Sequence, residues 1–137
     1  MSAPAWIDAP IEHPEGYTRF VELFNARKFF EAHEVLEDLW VVEVGPVREY
    51  YKALIMAAVA LEHWRRRNPS GARKLWRDAR ARRAPPPAPH EGLDLRAFRA
   101  QMDEILAPIM ANGAAAPPAP PDHRLPILAL QPPRLTP

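Results

Sequence analysis

The stretch from Phe24 to Trp40, FNARKFFEAHEVLEDLW, holds the densest set of side chains able to do chemistry. On a helix, His33, Glu37 and Trp40 fall at i, i+4 and i+7 along one side, and Glu34 neighbours Glu37 at i, i+3. An imidazole and a carboxylate one turn apart can reach the same cation or pass a proton between them. Paired carboxylates are what an acid–base or divalent-metal site requires. His33, Glu34 and Glu37 are therefore the candidate catalytic residues of an alternative reading, a small-molecule or metal-dependent hydrolase with Glu34 or Glu37 as base. The pattern stops short of known signatures, however. Glu37 stands where the zinc motif HExxH needs its second histidine. None of Glu31, Glu34 and Glu37 has the histidine three residues on that di-iron bundles use. No nucleophile or phosphate-binding loop accompanies the cluster. No cofactor and no metal are expected; a metal, if bound, would take His33, Glu37 and His63.

These side chains have to be carried by helices. Tyr17, Phe20, Val21 and Phe24 recur at i, i+3, i+4 and i+7, which predicts a first helix running to about Arg27. Phe29, Phe30, Ala32, Val35, Leu36, Leu39 and Trp40 continue the period as a second helix. Gly45 supplies a left-handed stop and Pro46 a pre-set first turn, so the second and third helices should form a tight antiparallel hairpin. The third carries a wide apolar stripe from Val47 to Trp64, with Ala57, Ala58 and Ala60 in its interior. Asn68 and Pro69 read as N-cap and first position of a fourth helix, with Ala72, Leu75, Trp76 and Ala79 inward. A stiff proline-rich connector, 84–92, precedes a fifth helix capped by Asp94, with Leu95, Phe98, Met102, Ile105, Leu106 and Ile109 inward. Asn112-Gly113 closes it, and Pro108 should kink its last turn or end it early.

Equal steps away from Gly45 place Lys52 opposite Glu37, as an ion pair across the hairpin. His63 comes out roughly 9 Å from the level of His33 at a rise of ~1.5 Å per residue. The polar cluster is then His33, Glu34, Glu37, Trp40, Lys52 and His63. Its plainer reading is a hydrogen-bonded seam that fixes the hairpin's register. On that reading Glu37→Ala costs more than about 2 kcal/mol, and Glu34→Ala less. A weak repeat at an offset of 40 pairs Phe24 with Trp64, Ala32 with Ala72, Val35 with Leu75 and Leu36 with Trp76. It resembles the helical hairpins of tetratricopeptide arrays, but two units are too few for such an array, so it is read as hairpin packing.

The fold class is thus all-α: a compact bundle of about five helices built from antiparallel hairpins, over residues 1–112, with a proline-rich tail over 113–137, extended or disordered. Within the tail, Leu125, Ile127 and Leu130 are apolar enough to dock. With 137 residues there is room for one core. The absence of cysteine excludes disulfides and thiolate sites and fits a cytoplasmic protein, and no window is apolar enough for a membrane span. Charge is unevenly placed. Residues 1–64 hold eleven acids against five Lys/Arg, and residues 65–84 hold one acid against nine. The basic fourth helix makes nucleic-acid binding a weaker alternative; a solvated face beside the acidic first half explains it as well.

Phe24-Asn25, the block Phe29-Phe30-Glu31-Ala32-His33-Glu34-Val35-Leu36-Glu37 with Trp40, then Ala57 to His63 and Asn68-Pro69-Ser70-Gly71-Ala72 together resemble the family called domain of unknown function 309, over about residues 17–112. The resemblance implies a compact helical fold with no established activity, and places recurring polar residues at His33, Glu34, Glu37, Trp40 and His63. It also implies glutamines where Lys52 and Met56 stand, so a ligand held by both amides is not expected here. The leading expectation is a non-enzymatic module that self-associates, as a homo-oligomer, or binds an unidentified protein partner, because the aromatic and alanine stripe looks wider than a short bundle needs.

Overall fold

The computed structural model describes residues 15–44, 46–82, 95–111 and 117–128. They form five helices, α1 (Glu15–Asn25), α2 (Phe29–Val42), α3 (Pro46–Arg65), α4 (Pro69–Ala81) and α5 (Leu95–Ala111), and a 3-10 turn at Asp122–Arg124. No strand occurs among the described residues. The expected Gly45 stop, the 84–92 connector, the Asp94 cap, the Asn112-Gly113 closure and Leu130 lie outside them.

Each helix packs on its neighbour in the chain. The start of α1 meets the end of α2, where a Cβ on Gly16 would come within 3.1 Å of Leu39 Cδ1. The end of α3 returns to the start of α2, with the Arg65 guanidinium 5.5 Å from the Phe29 ring centre. Arg82 at the end of α4 grips Glu49 at the start of α3 at 3.1 Å. The helices therefore alternate in direction, as two hairpins, α1/α2 and α3/α4, laid side by side. Phe24 is sealed among Phe20, Phe29 and Phe98, and through Phe98 the last helix joins the core. Trp76 Nε1 donates to Asp103 Oδ1 at 2.9 Å, a tie between α4 and α5.

The offset of 40 holds in the backbone as well as the side chains. At the end of α1, Arg27 N donates to Phe24 O and Lys28 N to Leu23 O; at the end of α3, Arg67 N donates to Trp64 O and Asn68 N to His63 O. Both are Schellman turns, in which a residue with positive φ lets two amides fold back on the last carbonyls. The residues at that position are Arg27 (φ 66°) and Arg67 (φ 62°), where glycine is the usual occupant. The α1 helix therefore stops at Asn25, two residues short of the expected end. A left-handed Arg is strained by about 1–2 kcal/mol, part of which glycine's extra chain entropy cancels, so Arg67→Gly should raise stability by roughly 0.5–1 kcal/mol in a denaturant melt. An unchanged or lower midpoint would mean that the Arg67 side chain contributes more than the strain it imposes.

Pro108 does not end α5, which runs on to Ala111. Pro108 is exposed, so the carbonyl deprived of its helical partner can turn to water. The α3 stripe is consumed inside the molecule: Tyr50, Tyr51, Leu54, Leu61 and Trp64 are all buried. Among the described residues the large apolar side chains left outside are instead Phe30, Val41, Val42, Val44 and Ile127.

Candidate functional site

The polar cluster expected between α2 and α3 is not assembled there. Ala32 and Leu36 are fully buried, and beside them 18% of the His33 side chain and 51% of the Glu37 side chain are exposed. His33 Nδ1–H points to Phe30 O at 2.5 Å, and its Nε2 lies 3.7 Å from Glu37 Oε2. Glu34 is exposed. Lys52 does not meet Glu37; its Nζ sits 4.5 Å from the centre of the Trp40 ring, and Arg48 lies over the same indole at 4.0 Å. Trp40 Nε1 is buried and has no hydrogen-bond partner among the described residues. The polar contact His63 makes is with the cap of α4, Asn68 Nδ2 donating to its Nδ1 at 3.2 Å. The set His33, Glu37 and His63 is not gathered as ligands, and no three His, Asp or Glu side chains among the described residues are placed to hold a metal.

Equal-step counting fixes the level at which two helices face each other but not the rotation of each about its own axis, and the rotation is where the Glu37–Lys52 pairing fails. Half of the Glu37 side chain is exposed and its partner is its own neighbour on α2. An exposed i, i+4 pair contributes about 0–1 kcal/mol, so Glu37→Ala should lower stability by less than about 1 kcal/mol. A denaturant melt showing a loss above about 2 kcal/mol would restore a structural role across the hairpin.

A different set of polar side chains does converge, where the two Schellman turns lie against each other. Arg65 NH1 donates to Arg27 O at 2.5 Å, joining the second turn to the first. Across this joint runs the segment 117–128. Trp64 Nε1 donates to Pro117 O at 2.9 Å. Arg65 approaches Asp122 at 3.7 Å. Arg27 NH1 and NH2 donate to Pro126 O at 2.6 Å and Leu125 O at 3.0 Å. Asn25 makes a reciprocal pair, its Nδ2 donating to Leu128 O at 3.0 Å and its Oδ1 accepting from Leu128 N at 2.8 Å. Burial draws the Arg27 pKa below its ordinary value and Asp122 opposes that shift; the guanidinium remains charged and its hydrogen bonds are charge-assisted.

The segment's backbone is extended on either side of its 3-10 turn. Pro121 has φ −62°, ψ 154° and Leu125 φ −76°, ψ 155°, the polyproline II region. Leu125 and Leu128 are buried, whereas Ile127, expected inward, is 60% exposed. Polyproline II turns once in three residues, so i and i+3 share a face and i+2 leaves it. A cleft of about 870 Å³ between the segment and α5, walled by Trp64, Ile105, Pro108, Pro117, Leu125 and Ile127 among others, exists only while the segment is seated.

Asn25, Arg27 and Arg65 were not among the candidate site residues read from the sequence, and Trp64 reads there simply as core. The signal was present in the repeat, since Asn25 and Arg65 occupy equivalent positions in it. The basic run, by contrast, is partly neutralised: Arg66 pairs with Glu62 at 2.6 Å, Arg80 with Asp103 at 3.3 Å and Arg82 with Glu49. Lys74 and Arg77 face outward. No helix among the described residues is long and apolar enough to cross a membrane.

A model of the family described as Domain of unknown function (DUF309) matches residues 17–75. The uncharacterized protein YpuF of Bacillus subtilis is 40% identical over 65 residues, which are 46% of this chain and 37% of that protein. An uncharacterized protein of Aquifex aeolicus is 31% identical over 84 residues, 61% of this chain and 25% of that protein. The chain thus matches little more than a third of either relative at most. The crystal structure of a conserved hypothetical protein from Thermus thermophilus shares the fold with a TM-score of 0.60 and 30% identity, over 70% of this chain and 99% of that one. Asn25, Arg27, Trp64 and Arg65 all fall inside the matched family region, and the segment they hold falls outside it.

Proposed function

The chain belongs to the domain of unknown function family DUF309, and from that premise we propose that it is a non-enzymatic interaction module which holds an extended polypeptide segment at the joint of its two hairpins. The observation that carries this reading is the chemistry of the joint. Trp64, Arg27 and Asn25 contribute one indole donor, one guanidinium and one carboxamide, and every one of their hydrogen bonds at the joint goes to main-chain groups of the segment. Side chains that satisfy a partner's backbone are the means by which extended peptides are bound without demanding a particular sequence at every position. A bundle does not need such groups for its own packing, and here they lie in the family's matched region.

The test begins from the full chain with Leu125→Asp and Leu128→Asp, which removes both anchors of the resident segment. Extended synthetic peptides and helical ones are titrated against it by fluorescence anisotropy, alongside light scattering of the unaltered chain. Saturable binding of extended peptides is expected. A strict monomer that takes no peptide of either kind overturns the reading.

A further inference from the structure

We infer that the partner of this joint presents a Leu-Pro-x-Leu segment in the polyproline II conformation, and that the chain's own Leu125-Pro126-Ile127-Leu128 is a tethered competitor for the seat. The inference rests on the reading of the protein as a peptide-holding module and names its ligand. Three observations on the seated segment define that ligand. The two leucines are buried to 4% and 2% exposure while Ile127 between them is 60% exposed, so the seat accepts apolar side chains at i and i+3 and leaves i+2 free. Pro126 is buried with them; its ring fixes φ near the polyproline II value and holds the three-residue period at low entropic cost. The hydrogen bonds fall on the carbonyls of Leu125, Pro126 and Leu128, and the one amide used is that of Leu128. Proline at the second position therefore forfeits no donor that the seat requires.

The tether decides when the seat is open. A segment connected to its site by a short stretch of chain competes at a local concentration on the order of millimolar, so a partner must displace it, and a weakened tail favours the partner. The apolar exposure of Ile127 and the exposed imidazole of His123 on the outer side of the segment leave its sequence free to vary there.

The probe is a fluorescent peptide with the sequence of residues 117–130, added to the full chain carrying Leu125→Asp and Leu128→Asp. It should bind at least about tenfold tighter to this chain than to the unaltered one. Adding Arg27→Ala should remove the binding. A peptide with one alanine inserted between Pro126 and Ile127, which breaks the i, i+3 spacing, should bind at least about tenfold more weakly than the parent peptide. Circular dichroism verifies that the helices persist; should they not, Leu128→Asp alone is used. If the inserted and parent peptides bind equally, the Leu-Pro-x-Leu inference is overturned while the module reading survives. If no peptide binds to the emptied chain, the Leu-Pro-x-Leu inference falls, and with a strictly monomeric unaltered chain the module reading falls with it. If the unaltered chain is a dimer by light scattering and becomes a monomer on Leu128→Asp, the occupant is the tail of a second copy, and the inference of a separate partner is overturned.

Discussion

Replacing Phe24 with alanine should lower the stability of the protein by about 3–5 kcal/mol, the range for a buried aromatic side chain removed from a core that only partly collapses around the gap. The ring is completely buried, with centroids 5.8 Å from Phe20, 5.0 Å from Phe29 and 5.7 Å from Phe98. Its two edge-on contacts add to the area term, since aromatic pairs in that geometry contribute about 0.5–1.5 kcal/mol beyond burial. No single element can close the gap, because the neighbours come from α1, α2 and α5, and α5 shares few other residues with the first hairpin. The loss should therefore appear as a lower midpoint in urea, with amides of α5 exchanging faster than those of α3. A loss under about 1.5 kcal/mol would show that the three rings repack, and that α5 is held mainly by Trp76 and Asp103.

The architecture was legible in the sequence because each of its determinants is local. Apolar spacing from Tyr17 to Ile109 fixed where helices lie, and Asn68-Pro69 marked the start of α4, where Asn68 Oδ1 accepts from Gly71 N at 3.0 Å. The repeat at 40 was visible as four pairs of core residues, and in the structure it extends to the hydrogen bonds of both turns. What could not be read was the identity of the stop residue: two arginines occupy positions where glycine is the sequence signal, so the helix appeared to run on to Arg27.

The site was less legible for two separate reasons. His33, Glu34 and Glu37 attract attention by residue type, but the face they occupy depends on the rotation of α2, which is set by how Ala32, Leu36 and Trp40 pack. Rotating an α-helix by one residue moves a side chain by about 100°, enough to decide whether a side chain such as Glu34 or Glu37 meets a neighbour or water. The joint, in contrast, is built from residues far apart in sequence: Asn25 meets Leu128, and Trp64 meets Pro117. Neither partner is conspicuous alone. An asparagine in the last turn of a helix carries no signal of its own, a tryptophan in an apolar stripe reads as core, and Trp64 is indeed buried while also using its one polar atom on the tail. In the tail, Ile127 was expected inward with Leu125, but it is Leu128, three residues on, that is buried with it.

Asn25→Ala should release the tail without unfolding the bundle. The carboxamide makes two hydrogen bonds to the same residue, at 3.0 and 2.8 Å, in a partly buried position. At about 1 kcal/mol net for each, the docked state loses roughly 2 kcal/mol relative to the released one. That corresponds to an exchange rate about thirtyfold higher for the Leu128 amide, whose protection depends on docking. The bundle amides answer to a different equilibrium. Asn25 is not part of the apolar core, so exchange in the middle of α3, at Ala57 and Ala58, should be governed by global unfolding and change far less. Arg27→Ala acts on the neighbouring carbonyls, and because the two side chains hold one segment their effects should not add: once either is gone, the other has less of a seated segment to hold. A double-mutant cycle read on the Leu128 amide should show that coupling. Equal protection of Leu128 in the parent and in Asn25→Ala would mean that the carboxamide does not hold the tail, and the polar clamp at the joint of the two hairpins would then rest on Arg27, Trp64 and Arg65.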